Sequence, residues 1–252
     1  MLYFSKYYWI PNFDGKSCRL TKAIVKMEKI VIFSGAGMSA ESGIDTFRKN
    51  GGLWEQYKIE EVATPEAWKN NSHNVQQFYN LRREQISAVE PNLGHKLVAE
   101  MEQFGETIVV TQNIDDLHER AGSSDVLHLH GNIRYAKSSG PNQEKAYYLI
   151  EGNNLSLTDL CPEGYPLRPH VVWFGEEVPM YEKAIPVIES ATIFIVVGTS
   201  LNVYPAAALI HYANGARLKV VIDPDEQLNV PPDFVHLKLS ASEGLKKCLE
   251  WI

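Results

Sequence analysis

From Met27 onward, apolar positions fall into short continuous runs separated by stretches of helical period. The runs are 29–33 (KIVIF), 107–111 (TIVVT), 126–129 (VLHL), 193–197 (IFIVV), 218–222 (LKVVI) and 235–239 (VHLKL). They are strand-length, rich in Val and Ile, and mostly without polar alternation, the pattern of strands covered on both faces. Helical patterns lie near 74–89, 92–104, 180–189, 204–213 and 242–250. The alternation predicts an α/β fold: a parallel sheet with helices on both faces, plus a smaller inserted module. The module is signalled by two interruptions. Residues 44–70 are polar and loop-like, and 132–169 contain the turn-rich stretches SSGPNQ and EGNN. The large part is expected at about 29–43, 90–131 and 171–252, and the module at about 44–89 and 132–170. Residues 1–26 stand apart as an N-terminal extension, a tail with five basic residues, one acidic residue and many aromatics. It lacks the apolar core of a secretory signal and the Ser- and Arg-rich bias of a transit peptide.

Composition narrows the class. Of 252 residues, 44% are hydrophobic and 22% charged, so the chain can build a packed core and is not a disordered polymer. The longest apolar runs fall far short of the ~20 residues of a membrane span. Lys plus Arg is 24 against 31 for Asp plus Glu, a net charge of −7, which argues against a general nucleic-acid binder. The expected setting is cytoplasmic, without nucleic acid or membrane, as a monomer or weak homo-oligomer. Cys18, Cys161 and Cys248 are too few and too scattered for a disulfide framework or a four-cysteine zinc site.

Ligands of parallel α/β sheets sit beyond the carboxyl ends of the strands, so the loops there are the candidate chemistry. Strand 29–33 leads into Ser34 and Gly35-Ala36-Gly37-Met38-Ser39-Ala40, whose Gly-x-Gly-x-x-Ala spacing is a dinucleotide fingerprint. Glycines would let the backbone approach a pyrophosphate, and a following helix N-terminus would face it. The acidic residue of an ordinary dehydrogenase site, about 20 residues on, has no strand leading to it; Glu55, Glu60 and Glu61 follow loop sequence.

The whole stretch 35–48, GAGMSAESGIDTFR, resembles the signature of the sirtuin family of NAD-dependent protein lysine deacylases. Further blocks match in order: TQNID (111–115), HLHG (128–131), VVWFGE (171–176), GTSLNVYPAA (198–207) and a strand ending at Asp223. The resemblance spans about 29–250 and implies a Rossmann-like large domain with NAD as cosubstrate. It places Gly35, Ala36, Gly37, Glu41, Thr46, Phe47, Arg48, Gln112, Asn113, Asp115, Gly198, Thr199, Ser200, Asn202, Asp223 and Ala241 around NAD. Asn113 and Asp115 would hold the nicotinamide ribose and amide region, and Gln112 the ribose; the same two side chains could also cap a helix near Asp116. Asp223 would accept from ribose hydroxyls and disfavour a 2′-phosphate, hence NAD over NADP.

His128 and His130, two apart in one strand block, would share a face. The resemblance makes His130, just before Gly131, the catalytic base, which draws a proton from the ribose hydroxyls as the acyl group moves from lysine to ADP-ribose. Val172, Trp173, Phe174 and Gly175 look like the segment that pairs with an extended acyl-lysine peptide and walls its lysine. The alternative for both rings is plain core packing.

Helix 74–89 adds acyl specificity. Val75, Phe78, Tyr79, Ile86 and Val89 share one arc of ~80° at ~100° per residue, and Arg82 lies in its middle while Arg83 points away. A guanidinium on a buried face requires an anion, and a carboxylate fits it in a two-pronged hydrogen bond. The Tyr79-x-x-Arg82 pair resembles that of sirtuins that remove succinyl and malonyl groups, and Thr46 fits the same subgroup. The alternative is that Arg82 pairs with a local Glu or extends to solvent. Where most sirtuins carry two Cys-x-x-Cys pairs, 132–169 holds only Cys161; His170 and Glu163 do not complete a ligand set. The expectation is no metal, with the module packed by Tyr147, Tyr148, Leu149, Leu155 and Leu160. The leading function is desuccinylase/demalonylase with some deacetylase activity. The alternatives are an ADP-ribosyltransferase or NAD hydrolase, and a silent NAD-binding module.

Overall fold

The computed structural model describes residues 28–44 and 57–252 in full, and 3–11 and 18–26 as backbone. Eleven strands are found among them: β1 (Tyr3–Pro11), β2 (Cys18–Lys26), β3 (Glu28–Ser34), β4 (Gly105–Thr111), β5 (Val126–His128), β6 (Gly131–Ser138), β7 (Tyr147–Leu149), β8 (Leu167–Val171), β9 (Ile193–Val197), β10 (Leu218–Ile222) and β11 (Val235–Leu237). The α-helices are α1 (Ile59–Val62), α2 (Pro65–Ala88), α3 (Leu93–Glu100), α4 (Leu117–Ala121), α5 (Tyr181–Glu189) and α6 (Ala241–Leu249).

Six strands form one sheet in the order β11-β10-β9-β3-β4-β5, with every pairing parallel. The continuous apolar runs are explained by the two faces. Ile30, Ile32, Ile193, Ile195 and Val197 face one core, which α3 and α6 close through Leu97, Val98 and Leu245. Val31, Phe33, Phe194 and Val196 face the other, closed by Ala184 and Ile188 of α5 and by Leu209 and Ile210 of a 3₁₀ helix, Ala206–Tyr212. The chain builds β3, β4, β5 in one direction and β9, β10, β11 in the other. The switch point therefore lies between β3 and β9, where a ligand crevice is expected in such sheets.

β6, β7 and β8 form a separate antiparallel sheet in the order β7-β6-β8, the core of the inserted module. Its apolar cluster is Ala136, Ile150, Leu155, Cys161 and Leu167, with Tyr148 against it. Of the five packing residues expected from sequence, Tyr147, Leu149 and Leu160 are instead exposed. The reason is register: Tyr147 and Leu149 alternate with Tyr148 on the edge strand and turn outward. Cys161 Sγ lies 3.4 Å from Ser138 Oγ within this apolar cluster. No group of three His, Cys, Asp or Glu side chains among the described residues is placed to hold a metal ion. Between 132 and 170 the only cysteine is Cys161, so a four-cysteine donor set is not available there.

Two further expectations change. Residues 3–11 and 18–26, read as a tail, pair as an antiparallel hairpin, in keeping with their aromatic and β-branched content. Residues 44–70 are not all loop, because α1 and the start of α2 lie there. α2 begins at Pro65 behind an N-cap, Thr64, which accepts from Ala67 N–H, and it is interrupted at Asn71 (φ −153°, ψ 70°). Asn71 Oδ1 accepts from Asn74 N–H, restarting the helix at the point where the apolar stripe begins. No helix among the described residues is long and apolar enough to cross a membrane.

Candidate active site

The loops that follow β3 and β9 touch at the switch point. Gly35 N–H donates to Val197 O (3.0 Å) and Gly37 N–H to Gly198 O (2.8 Å). A Cβ on Gly37 would sit 2.7 Å from Gly198 Cα, and one on Gly198, whose φ is +62°, 2.3 Å from Met38 N. The glycines thus let two loops close on each other. Gly35 and Gly37 spend their own amides on β9 and its loop. The segment after them is a 3₁₀ turn, Ala36–Ser42, rather than an α-helix.

Ser39, Asn113 and Asp115 converge beyond β4. Ser39 Oγ, fully buried, donates to Asp115 Oδ2 (2.9 Å) and accepts from Asn113 Nδ2 (3.1 Å). Asp115 Oδ1 also accepts from Leu117 N–H at the start of α4, so its helix-capping role and its place in the site coexist. Burial raises the Asp115 pKa against the Ser39 and Leu117 donors. Gln112 Nε2 donates to Thr199 Oγ1 (3.0 Å), joining the β4 and β9 loops. Ser39 bridges Asn113 and Asp115, and nothing in its spacing within the fingerprint marks it for that place.

The two histidines separate here. β5 ends at His128, and His130 lies in the turn before Gly131 (φ +81°), not in a strand. His128 is engaged at both ring nitrogens, Nδ1 with Asn113 O (3.0 Å) and Nε2 with Glu119 Oε1 (2.7 Å). Burial opposes its charge, but the Glu119 contact prevails and raises its pKa. His130 has Nδ1 3.0 Å from Gln112 O, a contact that requires Nδ1–H and leaves the Nε2 lone pair as acceptor. Burial lowers the His130 pKa although the Gln112 carbonyl favours the charged form, so the ring is neutral near pH 7.

Beneath this cluster His118 Nε2 meets Ser34 Oγ (3.0 Å), which donates to Thr111 Oγ1 (2.9 Å). The His95 ring stands edge-on to His118 at 4.9 Å. Both histidines are buried, and burial lowers both pKa values, that of His95 to about 4, against Glu41 and Glu119, which raise it. The unfolded chain therefore binds more protons between about pH 6.5 and 4, and stability falls as pH drops through that window, by up to about 1.4 kcal/mol per pH unit per histidine. Denaturant midpoints measured from pH 7 to 4.5 should fall, and His95→Phe should reduce the slope; an unchanged slope would dismiss His95 as a source.

The remaining NAD residues spread along the same sheet edge. Asp223 is buried beyond β10, with Oδ1 accepting from Asp225 N–H (2.9 Å). Glu41 Oε1 accepts from Ser242 N–H (3.0 Å) and so binds the first turn of α6, where Ala241 lies. Burial pushes the Glu41 pKa up, but its serine and backbone donors bring it down overall. Thr199 is buried, Ser200 half-buried and Asn202 exposed. Thr46, Phe47 and Arg48 lie outside the described residues.

On the module side, α2 presents Tyr79 and Arg82 one turn apart, both buried. Arg82 does not extend to solvent; Nη1 is 3.4 Å from Gln85 Oε1. Tyr79 packs with Phe78, Ile133, Val171 and Trp173. Arg83, expected to point away, is fully buried on a second helix face against the module. It donates to Ile133 O, Asn153 O and Asn80 Oδ1, each at 2.8 Å, and burial lowers its pKa to about 10. Val172 N–H donates to His130 O (2.9 Å) and Phe174 N–H to Ala63 O (3.0 Å), while Glu176 takes that of Trp173 (2.8 Å). These three N–H groups are satisfied within the chain. Trp173 is core; Phe174 is exposed on the turn at Gly175.

Residues 35–205 match the family described as the Sir2 family. The chain belongs to the Sir2 family. It is 46% identical over 225 residues to the NAD-dependent protein deacylase of Bacteroides thetaiotaomicron, covering 88% of this chain and 96% of that protein. It is 50% identical over 199 residues to the NAD-dependent protein deacylase of Helicobacter pylori strain J99, covering 79% and 83%. A solved Sir2 homologue in complex with NAD superposes with a TM-score of 0.80 at 37% identity, covering 90% of both chains. The Sir2 fold accounts for the six-stranded parallel sheet and for its switch point between β3 and β9. The paired loops at Gly37 and Gly198, with Gln112, Asn113, Asp115 and His130 beyond the same strand ends, supply donors and acceptors suited to ribose hydroxyls and an amide, so the residues fit NAD.

Proposed function

We infer that this Sir2 family chain is an NAD-dependent protein lysine deacylase that favours acidic acyl groups, succinyl and malonyl above acetyl. The observation that carries the deacylase reading is the His130 ring, fixed by Gln112 O with its Nε2 lone pair available, beside the Asn113–Ser39–Asp115 cluster. Bound NAD supplies an activated ribose carbon that gives up nicotinamide and receives the acyl group. Asn113 and Asp115 orient the ribose and amide region, held rigid by Ser39. His130 Nε2 takes a proton from a ribose hydroxyl. The acyl preference is supported by Tyr79 and Arg82, a phenol and a guanidinium on a buried face where a carboxylate offsets the cost of the cation.

Incubating the protein with NAD and a succinyl-lysine peptide should give nicotinamide and succinyl-ADP-ribose in equal amounts by mass spectrometry. ADP-ribose without peptide turnover would favour transfer or hydrolysis instead, and no nicotinamide would favour a silent module. The small module is proposed to hold without zinc, because its centre is the apolar cluster around Cys161. Metal analysis of protein prepared without added zinc should find far less than one zinc per chain; a stoichiometric metal would contradict this.

A further inference from the structure

Tyr79 is not held by its own helix alone. Its hydroxyl oxygen accepts from Trp173 Nε1–H (3.1 Å), and both side chains are buried. An indole N–H is a donor only. Trp173 therefore fills an acceptor position of the phenol oxygen and leaves the phenol proton to seek an acceptor elsewhere. Burial raises the Tyr79 pKa, so the proton is retained at neutral pH. A carboxylate brought to Arg82, one turn along, is such an acceptor.

Trp173 is itself clamped from the far side. The Arg168 guanidinium carbon lies 3.3 Å from the centroid of the Trp173 ring. Arg168 is 3% exposed and makes a forked pair with Glu176, Nη1 to Oε1 at 2.6 Å and Nη2 to Oε2 at 2.9 Å. Two further contacts hold the guanidinium, Nη2 to Val171 O (2.8 Å) and Nη1 to Gln143 Oε1 (3.1 Å). Glu176 Oε2 also accepts from Trp173 N–H (2.8 Å), and Glu176 N–H returns to Trp173 O (3.0 Å). One ion pair thus fixes both the backbone and the ring plane of Trp173. A planar guanidinium stacked on an indole and forked to a carboxylate has few alternative geometries.

We propose that Arg168 and Glu176 are positioning residues for acyl selectivity, acting through Trp173 to aim the Tyr79 hydroxyl proton at the carboxylate of an acidic acyl-lysine. This rests on the acidic-acyl reading above. Neither residue touches the acyl group. Their effect passes through one hydrogen bond, which aims a donor at an anion, and donors to charged groups are worth about tenfold or more in binding.

The test is a cycle on the ratio of kcat/KM for succinyl- over acetyl-lysine peptides. It compares wild type, Arg168→Gln, Arg168→Lys, Tyr79→Phe and the Tyr79→Phe/Arg168→Gln double variant, with folding of each checked by circular dichroism. Arg168→Gln should lower the ratio about tenfold, mainly through a higher KM for the succinyl peptide. Arg168→Lys, which keeps the cation over the ring but loses the fork, should lose less. In the Tyr79→Phe background Arg168→Gln should leave the ratio where Tyr79→Phe set it. A purely structural role would lower both substrates together, or act as strongly without the phenol, and either result overturns the proposal. If Arg168→Gln does not fold, Glu176→Gln, which keeps an acceptor for Trp173 N–H, is put through the same cycle with the same criteria. A wild type with no succinyl preference would overturn the acidic-acyl reading itself, and the proposal with it. A preference that Arg168→Gln and Glu176→Gln leave intact would overturn the proposal alone.

Discussion

Replacing His130 with alanine is expected to reduce deacylation by about 10²–10⁴-fold, the range for loss of a positioned general base. Folding should survive, because the ring is half-buried and its Nδ1 bonds only the Gln112 carbonyl among the described contacts. The same geometry fixes the pH dependence of the wild type. Burial holds the His130 pKa below its ordinary value, so the neutral, proton-accepting ring persists to lower pH than a free histidine would allow. The acid limb of kcat/KM should therefore have its midpoint below about 6.5. Steady-state rates across pH 5–8, taken where circular dichroism shows the fold intact, check this. A limb centred above about 7 would point to a different group, His128 above all, whose pKa is raised by Glu119.

Arg82→Met carries the second large effect. If Arg82 receives the distal carboxylate, a succinyl group entering the variant leaves an anion facing thioether and aromatic surface. Removing one partner of a buried, hydrogen-bonded charge pair costs about 2–5 kcal/mol, so the succinyl-over-acetyl ratio of kcat/KM should fall by about 30-fold or more. The loss belongs mostly in KM, since the carboxylate is remote from the reacting carbonyl. Equal loss on both substrates would mean that Arg82 supports the module and does not read the acyl group.

Much of this was legible in the chain because its causes are local. The strands at 29–33 and 193–197 feed two cores on opposite faces, and that requirement alone produces unbroken apolar runs. Arg82 stood out because helical period places it among residues that are buried whatever they pack against. Arg83, one position on, could not be read the same way. Its partners Ile133 O and Asn153 O come from the inserted module, more than 45 residues away, and no period encodes them. The glycines of the fingerprint were visible, but their packing against Gly198, more than 150 residues away, was not. His128 and His130 differ only in surroundings: Glu119 reaches His128 from α4, and spacing within HLHG cannot say which ring keeps a free nitrogen. The Arg168–Glu176 fork was hidden for a related reason, since two charges near VVWFGE read as surface until Trp173 is seen to turn inward between them.

Under the proposed function, the buried Tyr79 and Arg82 of this NAD-dependent deacylase select acidic acyl groups. A single competition reaction tests it most directly: equal succinyl- and acetyl-lysine forms of one peptide, with NAD and the wild-type protein, sampled at early times for acyl-ADP-ribose by mass spectrometry. Succinyl-ADP-ribose should form at least about tenfold faster than the acetyl product. Acetyl-ADP-ribose forming as fast or faster would contradict it.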